Sequence, residues 1–338
     1  MTKRTKDYPL PEYIETYLYH LGASGRQPST LKRYRYDLID VHKYFHDHNV
    51  ELDTPQDWLA IPLESWKTFV NDFLIEEKLY QQATVARIVT VINSLTTFLN
   101  PLRKKMLHYA QPAHTLTVDQ IALETEFDKL VRTIRSTRGL SENQLQAHPY
   151  LVNRNELIVT LFYKYGLRVH HIIRLRMNDL HLASHEFDVY DRLGNRFTLK
   201  LTPEDQSLLM NYLADIPTPV RPRWYSEDPV FVSFDFARMT FRWVYAKNQP
   251  KQLTIVMITK MMRQLNERSG LPRSVTPSML RNAHVLKTYA VDMTPIERMN
   301  VTCMHKESSL RRYEQAYAEF GETLYGSPKQ AILDQSSS

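Results

Sequence analysis

The stretch that decides the fold reads Arg154-Asn-Glu-Leu-Ile-Val-Thr-Leu-Phe-Tyr-Lys-Tyr-Gly166-Leu167-Arg168-Val169-His-His-Ile-Ile-Arg-Leu175-Arg-Met-Asn-Asp179. Its apolar residues are dense and recur at helical rather than alternating spacing, which predicts a buried helix. Gly166 interrupts the pattern, and a second, shorter helix is expected to follow. The segment from Asn153 to Leu175 therefore reads as an apolar helical pair, broken at Gly166.

Upstream of this pair, the polar segment Ser136–Val152 reads as a loop or a short helical excursion. A capped helix is expected to begin around Thr117-Val118-Asp119, and Tyr109–Leu116, with Pro112, reads as a linker. Downstream lies the clearest β signal. Phe187-Asp-Val-Tyr190 and Arg196-Phe-Thr-Leu-Lys-Leu201 flank a turn at Leu193-Gly-Asn195, predicting a hairpin. From Pro203 onward the pattern is helical again, with Pro- and aromatic-rich loops near Ile216–Pro229.

The first third reads as helix after helix. Ser29 or Thr30 can cap a segment with Leu31, Tyr34, Leu38, Val41 and Phe45 at helical spacing. Its other face carries Lys32, Arg33 and Arg35. A second helix from about Thr84 has Val85, Ile88, Ile92, Leu95 and Leu99 as its buried stripe, ends at Asn100-Pro101, and is followed by Arg103, Lys104 and Lys105. The fold class is thus mainly α with a small antiparallel sheet, in two domains. Residues 1–112 form a helical N-terminal domain, 113–326 a second domain, and 327–338 a polar tail.

Composition narrows the function. A net charge of +6 favours a polyanionic partner. The single cysteine, Cys303, excludes an internal disulfide and suits a reducing cytoplasm. No apolar run approaches the roughly 20 residues of a membrane span, and the polar start at Met1–Tyr8 is not a secretory signal. Neither GxGxxG nor GxxxxGK[ST] occurs, so a nucleotide-cradling loop has no support. His42, His46 and His48 share a helical region but lack a convincing third ligand, so they read as a polar helix face and no metal site is expected.

Four separated segments resemble the tyrosine recombinase (phage integrase) family. Gly166-Leu167-Arg168-Val169 with Leu175…Asp179 resembles its first signature. Thr276-Pro277-Ser278-Met-Leu280-Arg281 resembles its Thr-Pro-His-x-Leu-Arg box, and His305…Tyr313 resembles its closing box. The hairpin supplies Arg192 before its turn. Tyr313 follows Arg281 by 32 residues, the interval usual in Xer-type members. Gly139-Leu-Ser-Glu-Asn-Gln-Leu-Gln-Ala-His148 further resembles the single-protein XerS branch.

The resemblance implies a helical core-binding domain and an α+β catalytic domain, closing as a C-shaped clamp on double-stranded DNA. The enzyme would act as a homotetramer on two DNA sites, with no cofactor and no metal. Implied catalytic residues are Arg168, Arg281, His305, Arg192 and the nucleophile Tyr313, with Tyr317 as the next tyrosine in line. Lys32, Arg33, Arg35, Arg103, Lys104 and Lys105 would contact the DNA backbone. The chemistry is coherent. Two fork-shaped guanidiniums can bridge the oxygens of a phosphodiester as charge builds there. A phenol, a poor nucleophile at its free pKa near 10, requires a neighbouring base or cation.

The chain departs from the family pattern at several points. Ser278 stands for the box-two histidine, and Arg192 for the hairpin lysine that protonates the leaving oxygen. Arginine keeps the charge but holds its proton too tightly to be an efficient general acid. His171 replaces the carboxylate three residues after the first arginine, and Met304 the glycine before His305. These changes define a second reading, a DNA-binding relative that has lost strand cleavage and acts as an accessory or regulatory factor.

Overall fold

The structure, a computed structural model, describes residues 8–103, 106–110, 115–191 and 193–326. Arg192, Lys104, Lys105 and the tail 327–338, all singled out above, lie outside the described residues. The chain divides into two compact units, Met1–His114 and Thr115–Ser338.

The first unit is wholly helical among its described residues: α1 (Glu12–Ala23), α2 (Pro28–Asp47), α3 (Pro55–Ala60), α4 (Leu63–Thr68) and α5 (Gln82–Leu99). Helix α2 starts at Pro28, one or two residues before the expected Ser29 or Thr30 cap. Proline suits the first helical position because its missing N–H would be unsatisfied there anyway. A wide π-type turn over Phe69–Glu77 prolongs α4. The stripes of α2 and α5 face one core, where Leu38, Val41, Phe45, Ile88, Ile92 and Leu95 surround Trp58 and Trp66. The two indoles pack with ring centroids 4.9 Å apart, and Trp58 Nε1 donates to Thr96 Oγ1 at 3.0 Å. The one polar end of a buried indole is thereby satisfied. Asn93 of α5 exchanges hydrogen bonds with the backbone of Met106 and Leu107, tying down the chain that leaves the helix.

The second unit is built round α7 (Glu142–Lys164), preceded by α6 (Glu124–Arg135). Two expectations are corrected here. The helix foreseen at Thr117 is only a 3-10 turn, Val118–Gln120, and α6 begins six residues later. Of the segment Ser136–Val152, read as a loop or a short helical excursion, the part from Glu142 is helical and is no short excursion but the first half of α7. Ser141 caps it, in a box with Gln144, and the helix passes through Pro149. Its first turns are polar because they lie at the surface, while Leu157–Phe162 are buried.

After α7 the chain turns at Gly166 into α8 (Val169–Arg174), then forms β1 (Leu180–His181), β2 (Glu186–Tyr190) and β3 (Arg196–Lys200). These make an antiparallel sheet in the order β1-β2-β3, with Phe187 opposite Leu199 and Val189 opposite Phe197. Phe187, Val189, Phe197 and Leu199 are all buried, as alternation predicts for a half-covered sheet. The buried Asp188 carboxylate accepts from Thr198 Oγ1 at 2.7 Å and pairs with His181 at 2.7 Å and Arg196 at 2.8 Å. That network pins all three strands together.

Helix α9 (Pro203–Asp215) packs on α7. Four two-residue strands follow: β4 (Phe234–Asp235) pairs with β5 (Thr240–Phe241), and β6 (Trp243–Val244) with β7 (Gln249–Pro250). These small ladders stand outside the single sheet read from the sequence. The unit closes with α10 (Ile255–Ser269), α11 (Pro277–Lys287), α12 (Pro295–Val301), α13 (Arg311–Ala316) and α14 (Glu322–Tyr325). Among the described residues, no helix is long and apolar enough to cross a membrane.

Gly166 is required twice over. Its φ of +60° is left-handed, and a Cβ there would lie 2.4 Å from Cδ2 of His284 on α11. Gly166→Ala should therefore lower the unfolding free energy by about 2 kcal/mol or more. Urea unfolding of the full chain measures this, and an unchanged midpoint would contradict the packing described.

Candidate active site

The turn between α7 and α8 brings Arg168 to the mouth of a cleft of about 730 Å³. The N-terminus of α11, capped by Thr276, delivers Ser278 and Arg281 to the same cleft, and α13 delivers Arg312 and Tyr313. Three of the residues taken from the sequence thus meet in one place: Arg168, Arg281 and Tyr313.

Arg281 is only 5% exposed. Its guanidinium donates to the carbonyl of Gly166 and, at 2.9 Å, to that of Thr302. Burial, and then the nearby charge of Arg168, push its pKa down to about 10. It still carries its proton at neutral pH. Arg168 donates from Nη1 to the carbonyl of Cys303 at 3.1 Å. The chain at 302–303 therefore accepts one hydrogen bond from each arginine. Cys303 adopts φ +50°, and burial pushes its thiol up to about 12, as befits a packed residue rather than a reactive one.

Tyr313 is 1% exposed, and its hydroxyl donates to Asn282 Oδ1 at 2.8 Å. Arg312 donates from Nη2 to the same hydroxyl at 2.6 Å, and its guanidinium carbon lies 4.6 Å from the ring centroid. Tyr317 is differently placed. Its hydroxyl donates to the Gly326 carbonyl at 2.7 Å, its ring stacks on Tyr289, and it does not line the cleft.

His305 lies in an adjoining cleft of about 330 Å³ that Arg168 also lines. Its Nδ1 is 3.1 Å from Asp191 Oδ2. Burial alone would raise the Asp191 carboxyl. Hydrogen bonds from Asn195 and Leu193 outweigh it, so the group stays below its ordinary range and ready to pair with a cation.

His171, which stands where the family pattern has a carboxylate, is 1% exposed. Its Nδ1 accepts the backbone N–H of Arg168 at 3.3 Å, so the imidazole fixes the turn that presents that arginine. Burial, followed by the neighbouring His170, Arg281 and Arg168, pushes its pKa down to about 2. His284, wedged between Gly166 and the Val301 carbonyl, is driven to about 4, mainly by burial. Both rings are neutral in the folded chain.

Arg312 and Asn282 were missed at the sequence level. Arg312 was visible only as one of two arginines before Tyr313, and Asn282 as the residue after Arg281. The cations read from the first unit have mixed surroundings. Lys32 and Arg33 are exposed, whereas Arg35 pairs with Glu15, and Arg103 donates to the Leu59 carbonyl at 2.6 Å. His42 is buried and bonded to the Tyr8 hydroxyl at 2.9 Å, and no group of three metal-ligating side chains occurs among the described residues.

Comparison with solved structures identifies the architecture as that of tyrosine recombinases. The fold matches XerH site-specific recombinase bound to difH substrate with a TM-score of 0.60 and 15% identity, over 88% of this chain and 80% of that one. It matches a lambda integrase dimer bound to a COC′ core site at 0.59 and 13%, over 89% and 75%. No protein-family model matches the chain. Among curated proteins, tyrosine recombinase XerD of Oceanobacillus iheyensis is 23% identical over 296 residues, covering 85% of this chain and 88% of the relative. Transposase A from transposon Tn554 of Staphylococcus aureus is 23% identical over 311 residues, covering 82% and 80%. The chain is thus similar to tyrosine recombinases in fold, and to curated recombinases and a transposase in sequence at 23% identity.

The two neutral histidines give the fold a pH dependence. Their folded-state pKa values lie below the ordinary 6.5 of an unfolded chain, so unfolding takes up protons as the pH falls through that value. Stability is complete above about pH 6.5 and is lost toward pH 5, by about 2 kcal/mol for each ring. Urea unfolding at pH 7 and pH 5 should show the loss, and His171→Gln should remove part of it; an equal loss in that variant would refute the assignment to His171.

Proposed function

We propose that the chain is a site-specific DNA recombinase that cuts and rejoins strands through a covalent 3′-phosphotyrosine. The observation that carries this reading is the convergence of Arg168, Arg281 and Tyr313 on a single cleft. In it, the two guanidiniums grip the non-bridging oxygens of the scissile phosphate. Tyr313 Oη attacks phosphorus, and the P–O5′ bond breaks with its electron pair. The phenol proton passes to water, and the departing 5′ oxygen takes a proton from water. Bond energy is conserved in the phosphotyrosine link, so attack by a second 5′ hydroxyl rejoins DNA with no nucleotide cofactor.

His305, oriented by Asp191, and Arg192, which lies outside the described residues, complete the proposed set. The unit Thr115–Ser338 carries this chemistry, while the helical unit Met1–His114 contacts the duplex backbone, with the exposed Lys32 and Arg33 as its first candidates. Assembly is a homotetramer on two sites, in the cytoplasm. The names of the relatives, recombinases and a transposase, favour an active enzyme over the non-cleaving reading.

The test is covalent capture of nicked duplexes from a randomised pool, resolved on a denaturing gel. Wild-type chain and Tyr317→Phe should both yield a covalent complex, and Tyr313→Phe none. Arg168→Ala should slow its formation by about 10²- to 10³-fold, the effect of removing one preorganised donor. Capture that survives Tyr313→Phe would move the nucleophile elsewhere, and no capture by the wild-type chain would overturn the enzymatic reading.

A further inference from the structure

The hydroxyl of Tyr313 has two partners of opposite character. Asn282 Oδ1 accepts its proton at 2.8 Å, and Arg312 Nη2 donates to its oxygen at 2.6 Å. Asn282 is itself fixed, because its Nδ2 donates to the carbonyl of Gln120 at 2.9 Å. The Gln120 turn is held in its turn by Arg273, which donates to the flanking carbonyls of Asp119 and Ile121 at 2.8 and 2.6 Å while forming a two-pronged pair with Glu126. The acceptor is thus anchored through three successive links to the body of the unit. Arg312, by contrast, lies exposed against the face of the Tyr313 ring and lines the reaction cleft with it.

We propose that Arg312 is the group that activates Tyr313, and that Asn282 is the positioning residue that turns the hydroxyl toward it. The proposal rests on the reading of Tyr313 as nucleophile. An arginine cannot remove the proton, since it has no acceptor and stays protonated. It does stabilise the negative charge that grows on Oη as the O–H bond weakens and the bond to phosphorus forms. Asn282 holds the O–H vector, so that an oxygen lone pair faces the guanidinium rather than wandering through the cleft. This arrangement answers a question raised by Ser278. Where that hydroxyl replaces an imidazole, activation of the phenol comes from a cation already bonded to the reacting oxygen.

The test uses the duplex that the wild-type chain captures covalently, in single-turnover cleavage. Arg312→Gln should slow covalent complex formation by about 10²-fold, the scale of one lost charge-stabilising donor. Arg312→Lys should recover at least about tenfold of that, because it restores a cation that can reach the same oxygen. Duplex affinity should stay within a few fold in both. The Arg312→Gln defect should persist on a duplex with a 5′-bridging phosphorothiolate, whose sulfur departs without being protonated. Asn282→Ala should slow cleavage on both duplexes, with the Arg312→Gln effect diminished in the double variant because the two residues act on one oxygen.

Full-rate cleavage by Arg312→Gln overturns the proposal. So does a defect that the phosphorothiolate repairs, which would place Arg312 at the leaving oxygen, or one matched by an equal loss of affinity, which would make it a phosphate anchor. If Arg312→Gln does not fold by thermal unfolding, Arg312→Met and Arg312→Lys carry the comparison instead. Loss of capture in Tyr313→Phe together with full speed in Arg312→Gln would leave the enzymatic reading standing and remove only this inference.

Discussion

The guanidinium of Arg281 is the constraint on which the second unit depends. It is buried, and its partners are the carbonyls of Gly166 and Thr302, which belong to the turn after α7 and the end of α12. A buried ion without hydrogen bonds would be prohibitively costly, so these two carbonyls make its burial tolerable. In return the cation ties together segments more than 100 residues apart in the chain. Arg168 repeats the device one residue along, on the Cys303 carbonyl. The fold thereby fixes both guanidiniums beside the chain at 302–303.

Around that pair, the site is assembled from short, well-capped pieces. Thr276 starts α11 one turn before Arg281, and Gly166 permits the left-handed turn that presents Arg168. Neutral imidazoles at 171 and 284 fill the space beside the cations without cancelling their charge. Lone pairs and dipoles serve as scaffolding here. The Asp188 network has a comparable part in the sheet, where one buried carboxylate with three partners holds the hairpin whose loop contains Asp191.

What could be read from the sequence follows from how local each signal is. Gly166-Leu167-Arg168, Arg281 and Tyr313 were legible because each sits in a short, ordered motif, and the α2 and α5 stripes because burial repeats at helical spacing. The start of α7 was not, since Glu142–Pro149 is polar and contains a proline, and only tertiary packing of its later turns keeps it helical. The strands β4 to β7 are two residues each, too short for any periodicity. Arg35 looked like a free cation because its partner Glu15 lies 20 residues upstream on another helix. Arg312 escaped notice for a geometric reason: adjacent residues on a helix do not ordinarily face each other. Its side chain reaches the Tyr313 hydroxyl by folding back over the ring.

The nearness of Arg168, which after burial helps lower the pKa of Arg281, has an energetic corollary. Two like charges held close inside a fold raise its energy while the cleft is empty, and an arriving polyanion cancels that repulsion. Part of the grip on a ligand is thus strain released rather than attraction created. Folding and recognition draw on the same electrostatic reserve in opposite directions, so a change that relaxes the empty protein should weaken its hold on anything it embraces.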